Sequence, residues 1–342
     1  MDSIPTAQAE RSTRAVPVLA IHGGAGTLLR SGMSQAKAAA YEAALKRVLQ
    51  AGQQQLAAGA SALDVVVEAV RELEECELFN AGRGAVYTAV GTHELDACVM
   101  DGAGLRAGAV AGMAFTRNPV LAARAVLEHS EHVLLMGEAA DVFAAGQGLE
   151  QVAPDWFGTP QRLEQLRRAQ AGARGQLLDH DGQHAVTACG TDSGAAPLDE
   201  TTKFGTVGAV ALDAQAHLAA ATSTGGMTNK QPGRIGDSPL IGAGCYANDA
   251  TVAVSCTGTG EAFMRGVAAY DLAALMDYAG LSLKEAAERV VMDKLPRLGG
   301  RGGLIAVAAN GEVCLPFNTE GMYRGVARVG EPVTVAIYGE SA

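Results

Sequence analysis

Apolar and polar positions along the chain fall into blocks of two different periods. Residues 17–21 form a short unbroken apolar run that ends in His22-Gly23-Gly24-Ala25-Gly26, the pattern of a buried strand feeding a glycine-rich turn. Two helices are predicted next. The stretch 34–51 carries apolar residues at helical spacing through Ala40, Ala44, Val48 and Leu49, and Ser61 opens a second helix, with Asp64 three residues on in the manner of a capping box, that runs to about Cys76. Short strands are expected at 94–100, 108–114 and 133–136. Asn118-Pro119 and Thr159-Pro160 each set an N-cap residue before a proline at the first helical position.

The pattern lapses over 171–204 into Gly, Asp, His, Gln, Ser and Thr, a stretch too long for an ordinary loop inside a compact domain. It is either a linker or a functional segment. Immediately after it, TVGAVAL (206–212) and LAAATST (218–224) are two small-residue strands of equal length separated by five residues, a hairpin signal. If Leu212 lies opposite Leu218, the same register sets Thr206 opposite Thr224 at the open end. Such a pair is either a cross-strand stabiliser or a pair of hydroxyls placed for chemistry.

Composition narrows the choice of partner. A formal charge of -11, from 37 acids against 26 bases, argues against nucleic acid or an anionic membrane and leaves small neutral or zwitterionic substrates. With 342 residues, 48% of them hydrophobic, the chain has material for one large domain or two ordinary ones, and its 43 glycines suit close backbone approaches. The six cysteines show neither a CxxC pair nor zinc spacing and read as inert thiols in a reducing cytoplasm. Residues 1–16 contain no apolar h-region and read as a loose tail, and no uncharged run is long enough to span a bilayer.

The candidate chemistry centres on Thr206. A hydroxyl is a poor nucleophile near neutral pH, but an N-terminal threonine carries its own base in its α-amine, with an intrinsic pKa of about 7.7 to 8.0. An internal threonine gains that amine only if the chain is cut before it, and Gly205, without a side chain, tolerates the backbone geometry such an attack demands. Downstream, Arg234 and Asp237 lie three residues apart in a Gly- and Pro-rich loop. They either receive the carboxylate and ammonium of an amino acid or form a plain surface ion pair. The stretch 251–256 is a further strand, running through Thr257-Gly258-Thr259-Gly260 into a long helix predicted from about Glu261. Free amides at such a turn suit an oxyanion hole or another anion, with an N-cap at Thr259 as the bland alternative. His93-Glu94 is not HExxH, since position 97 is Ala, and His22, closing a strand in a tight turn, reads as structural.

Taken in order, HGGAG (22–26), LEEC-LFNAG-G (73–84), HELDACVMDG (93–102), GTVGAVALD (205–213), ATSTGGMTNK-PGR-GDSP-GAGCYA (221–247) and SCTGTGE (255–261) resemble the plant-type (type III) L-asparaginases that are also isoaspartyl peptidases, close to the bacterial members. The resemblance covers about residues 16–338. It implies an α+β fold, the αββα sandwich of the N-terminal nucleophile hydrolases, with two stacked, mainly antiparallel sheets between helical layers. It further implies self-cleavage between Gly205 and Thr206 into an α subunit, 17–205 behind the tail 1–16, and a β subunit, 206–342, and assembly as a dimer of such heterodimers.

By that likeness Thr206 is the nucleophile, Thr224 the hydroxyl that orients it, and Thr257 with the Gly258 amide the oxyanion hole. Arg234 takes the substrate α-carboxylate, Asp237 with the Gly260 carbonyl takes the α-ammonium, and Asn80 lies close by. The implied substrates are asparagine and β-aspartyl dipeptides, with no cofactor for catalysis. A structural sodium ion is implied on the carbonyls of Leu73, Glu74, Cys76, Phe79, Ala81 and Arg83, although an aliphatic residue is expected where Arg83 stands. The rival readings are a glycosylasparaginase of the same fold and a non-catalytic protein binding a nucleotide or other anion.

Overall fold

The computed structural model describes residues 15–26, 28, 30–171 and 205–339. The chain runs β1 (Val18–Gly26), α1 (Gln35–Ala57), α2 (Ala62–Glu74), β2 (Leu95–Asp101), β3 (Arg106–Met113), α3 (Pro119–His129), β4 (Leu134–Met136), α4 (Gly137–Gly146) and α5 (Pro160–Ala171). Beyond the undescribed stretch follow β5 (Val207–Leu212), β6 (Leu218–Thr224), β7 (Cys245–Ala247), β8 (Val252–Gly258), α6 (Gly260–Gly266), α7 (Ala268–Ala279) and α8 (Leu283–Glu288). The last of these passes through a π turn into the short α9 (Leu295–Arg297), and β9 (Gly302–Ala308), β10 (Val313–Cys314), β11 (Gly321–Arg328) and β12 (Thr334–Tyr338) complete the chain.

Two sheets result. One has eight strands in the order β12-β11-β1-β5-β6-β2-β3-β4, and the other has four in the order β10-β9-β8-β7. Every neighbouring pair is antiparallel except β3–β4. Side chains alternate across the large sheet. Leu19 and Ile21 of β1, Ala209 and Ala211 of β5 and Ala219 and Ala221 of β6 pack under α1 and α2, whereas Val18, Ala20, Val210, Leu212, Leu218 and Ala220 face the small sheet and its helices. Because both faces are buried, these strands read as continuous apolar runs with no polar alternation. The architecture is the expected α+β sandwich of two sheets with helices.

The helix starts follow their caps. Ser34 and Ser61 each accept a backbone amide three residues on, Thr159 accepts the Arg162 amide, and Ser282 with Glu285 closes a full capping box. The β5–β6 register matches the expected one from Leu212↔Leu218 to Val207↔Ser223, and Thr206 and Thr224 stand one position past the last pair.

Several expectations need correction. The glycine-rich segment after Ile21 is not a turn: β1 continues through Gly26, paired with β11 across an irregularity between His22 and Ala25, where Gly24 takes φ +110°. The helix from Glu261 is broken at Val267, whose left-handed backbone (φ 49°) separates α6 from α7. The five described cysteines are free. The tail 1–14 and the linker 172–204 lie outside the described residues. Among the described residues no helix is long and apolar enough to cross a membrane.

Candidate active site

Strand alternation decides which side chains meet. Thr206 shares its parity with Val210 and Leu212, Thr224 with Leu218 and Ala220, and His22 with Val18 and Ala20, so all three lean toward the small sheet. On β8, Val254 and Cys256 pack with the hydrophobic core, and the intervening positions Ser255 and Thr257 are two apart on the other face. The two sets converge: His22 Nε2 lies 2.8 Å from Ser255 Oγ, and the Ala25 amide donates to Thr257 Oγ1 at 3.3 Å. The site therefore sits between the sheets, at the open end of the β5–β6 hairpin.

Thr206 is buried, with its hydroxyl 3.2 Å from Ser238 Oγ and its carbonyl 2.9 Å from His22 Nδ1. Gly205 before it is enclosed by Gly24 of β1: a Cβ on Gly24 would stand 2.6 Å from the Gly205 nitrogen. Thr224 Oγ1 accepts the Gly226 amide at 3.0 Å, which fixes the turn leaving β6. Thr257 and Gly258 end β8, where Gly258 has φ +155° and lies so close to the Arg301 carbonyl that a Cβ would stand 2.3 Å from it. Thr259, expected as an N-cap, exchanges hydrogen bonds with the Arg301 backbone.

Arg234 and Asp237 do not form a plain surface pair with each other. The Arg234 guanidinium grips Glu261 through Nε (3.0 Å) and Nη2 (3.1 Å). Asp237 is buried, its Oδ2 meets no hydrogen-bond donor, and burial pushes its carboxyl up to about 7 against the pull of Arg234. Gly260 is pressed against both: a Cβ there would stand 2.7 Å from Arg234 Nη2 and 3.1 Å from Asp237 Oδ1. A buried carboxyl oxygen left without a donor offers a place for a cationic N–H group. The loop is anchored from behind by Glu94, whose two oxygens accept the Gly233 amide at 3.0 and 2.9 Å, and by Lys230, buried and donating to the Glu94 carbonyl at 2.7 Å.

Asn80 joins the loop after α2 to the turn after Thr224: its Nδ2 donates to the Gly226 carbonyl at 2.7 Å and its Oδ1 accepts the Val86 amide at 2.9 Å. Leu73 and Glu74 close α2, and Cys76, Phe79, Ala81 and Arg83 lie in the loop that follows. Gly84, at φ +100°, sits so near the Glu77 and Phe79 carbonyl oxygens that a Cβ would be 2.6 Å from each. Arg83 points outward, its guanidinium 3.9 Å from Glu77. Among the described residues no group of three or more His, Cys, Asp or Glu side chains is placed to hold a metal.

Four residues at the site carry no signal of their own in the sequence. His22, which reads as structural from its local pattern, contacts the Thr206 backbone. Ser238, Ser255 and Glu261 sit inside longer motifs, and a lone Ser or Glu carries no spacing signal. The parity of 255 with 257 was the one available hint for Ser255.

Known proteins resemble this chain over nearly its whole length. The family model described as Asparaginase matches residues 15–337. The chain is 62% identical to the isoaspartyl peptidase of Salmonella typhimurium over 323 residues, 94% of this chain and 99% of that one. It is equally similar, at 62%, to the isoaspartyl peptidase of Escherichia coli, over 94% and 96% of the two chains. A probable isoaspartyl peptidase/L-asparaginase of Arabidopsis thaliana is 41% identical, over 94% of this chain and 98% of its own. A match from the first described strand to the last, with a buried threonine opening β5, places the chain in the asparaginase family of N-terminal nucleophile hydrolases.

Proposed function

We propose that the protein is an isoaspartyl peptidase and L-asparaginase that becomes active by cutting itself between Gly205 and Thr206. The observation that carries this reading is the Thr206 hydroxyl, buried between the sheets directly after a glycine enclosed by Gly24 and beside a loop with one pinned guanidinium and one buried carboxyl whose Oδ2 meets no donor. Those two charges suit the two ends of an aspartyl group.

In turnover the α-amine of Thr206 takes the hydroxyl proton, and Oγ1 attacks the side-chain amide carbonyl of asparagine or the isopeptide carbonyl of a β-aspartyl dipeptide. Thr224 orients the hydroxyl. Thr257 and the Gly258 amide meet the oxyanion, where loss of one donor costs roughly 100- to 1,000-fold in rate. The C–N bond breaks, the leaving amine takes the proton, and water then cleaves the β-aspartyl ester to release aspartate. Arg234 holds the α-carboxylate, Asp237 and the Gly260 carbonyl hold the α-ammonium, and Asn80 secures the turn beneath them.

No catalytic cofactor enters this scheme. A sodium ion would be held by the main-chain carbonyls of Leu73, Glu74, Cys76, Phe79, Ala81 and Arg83, a reading supported by Gly82 and Gly84, whose positive φ lets the backbone pass close to the Glu74 and Phe79 carbonyl oxygens, and by the outward Arg83 side chain. Such an ion would hold rigid the loop that carries Asn80.

Denaturing electrophoresis with N-terminal sequencing tests the reading. The expected result is two pieces, residues 1–205 and 206–342, the second beginning Thr-Val-Gly-Ala-Val, and an uncut, inactive chain for Thr206→Ala. An active Thr206→Ala protein overturns it.

A further inference from the structure

The ladder between β1 and β5 ends at the pair His22↔Gly208, and that between β5 and β6 ends at Val207↔Ser223. Thr206 thus lies beyond the last paired position on both sides. In the uncut chain the upstream backbone holds it. Once the bond before it is broken, residue 206 is a chain terminus, and termini fray unless something ties them down.

Among the described residues a side chain of the N-terminal piece reaches it. His22 Nδ1 lies 2.9 Å from the Thr206 carbonyl oxygen. A carbonyl only accepts, so Nδ1 carries the proton and donates. At the other edge of the ring, Nε2 is 2.8 Å from Ser255 Oγ, which is in turn 2.9 Å from Thr222 Oγ1. All three side chains are fully buried. The ring fits only because residue 208 is glycine: a Cβ there would stand 2.5 Å from His22 Nε2 and 1.9 Å from Ser255 Oγ. The imidazole is held at both edges and bridges β1, the start of β5 and β8.

We infer that His22 is a positioning residue: it clamps the backbone of the nucleophile across the cut and, through Ser255, keeps Thr206 in register with Thr257 two residues further along β8. This rests on the reading of Thr206 as the nucleophile. The clamp touches neither Arg234 nor Asp237, so its loss misaims the attack without weakening substrate binding. A displacement of about 1 Å in a reacting group lowers the rate about 100-fold.

Two variants separate the two ends of the ring. His22→Asn keeps an N–H where Nδ1 stands and gives up Ser255, whereas His22→Gln reaches toward Ser255 and leaves the Thr206 carbonyl without its donor. Cleavage rate, kcat, KM and unfolding temperature are measured for both. The expected result is a fall of roughly 10- to 100-fold in kcat for His22→Gln with KM within about twofold, and clear recovery in His22→Asn, with cleavage rates in the same order. A His22→Gln protein with normal kcat overturns the inference, as does equal impairment of the two variants in step with lost thermal stability, which is the mark of packing alone.

If neither His22 variant folds, Ser255→Ala, which removes only the rear support, decides: reduced kcat at unchanged KM supports the clamp, and unchanged kcat overturns it. Thr206→Ala run alongside keeps the two questions apart. Activity in that variant removes the nucleophile itself, whereas a normal His22→Gln beside an inactive Thr206→Ala removes only the clamp.

Discussion

Arg234 and Glu261 form a two-point ion pair, Nε to Oε1 at 3.0 Å and Nη2 to Oε2 at 3.1 Å, that joins the loop after β6 to the first turn of α6. The guanidinium is planar and offers its donors as a rigid fork, so gripping one edge fixes the direction of the other. An arginine already immobilised loses less entropy when a carboxylate arrives.

Glu261→Gln keeps the size of the side chain and removes the charge. Freed from its partner, Arg234 samples other rotamers, and the expected outcome is KM for asparagine raised about 3- to 10-fold with kcat nearly unchanged, one charge-assisted hydrogen bond being worth about 1.5–3 kcal/mol before solvent screening. Glu261 is 49% exposed, so fold stability should change by less than about 1 kcal/mol. Steady-state kinetics with thermal unfolding check both halves.

Asp237 makes a pH-dependent prediction with opposite signs for stability and function. Its folded-state value of about 7 lies above the ordinary 3.8, so the folded protein holds the proton more tightly than the unfolded chain does. Its contribution to stability is therefore full below about pH 4 and declines as pH climbs toward 7. A substrate ammonium needs the ionised form, so substrate binding tightens over the upper part of the same window. Asp237→Asn should abolish that rise in kcat/KM, raise KM by roughly 10- to 100-fold, and make the fold more stable near pH 8. Unfolding temperatures at about pH 5 and 8, with a pH profile of kcat/KM, decide it. An unchanged pH profile in the variant would sink the assignment of Asp237.

The hairpin register, the helix caps and the Thr206, Arg234 and Asp237 positions were legible because each rests on local spacing: equal strands about a five-residue turn, Ser before a helix, charges three apart in a loop. What escaped was set by strands far apart in the sequence. Whether HGGAG turns or continues as a strand depends on β11, some 300 residues later, offering Met322 and Gly321 as partners. The partner of Arg234 was unreadable for the same reason, since Glu261 approaches only once β8 and α6 have packed. Nor does local apolar spacing report the left-handed residue Val267 that breaks the helix.

Glu94 and Lys230 support the same loop from beneath. Lys230 is fully buried; burial lowers its pKa, and the nearby Asp96 and Glu94 oppose that fall. Lys230→Met takes from the buried Asp96 the cation that most opposes the rise of its pKa, and removing one partner of a buried charge group costs about 3–5 kcal/mol. Glu94→Gln is milder. It keeps an oxygen for the Gly233 amide but weakens the bond, and KM should rise while stability changes little. Denaturant unfolding of the two variants, beside their kinetics, separates the structural role of Lys230 from the loop-setting role of Glu94.

Gly24→Ala distinguishes maturation from turnover. At φ +110° an alanine is strained by about 1–3 kcal/mol, and its Cβ would meet the Gly205 backbone at 2.6 Å from nitrogen and 2.9 Å from Cα, atoms that cannot swing aside as a side chain does. The collision falls on the residue whose carbonyl Thr206 has to reach, so self-cleavage should slow at least about 10-fold, in line with the sensitivity of such reactions to small displacements. After the cut Gly205 is a free C-terminus and can move away. Molecules that do mature should therefore turn over asparagine at close to the normal kcat. A time course of the two pieces on denaturing gels, with activity expressed per cut molecule, tests both statements, and normal cleavage kinetics in the variant would show that Gly24 does not govern access to the scissile bond.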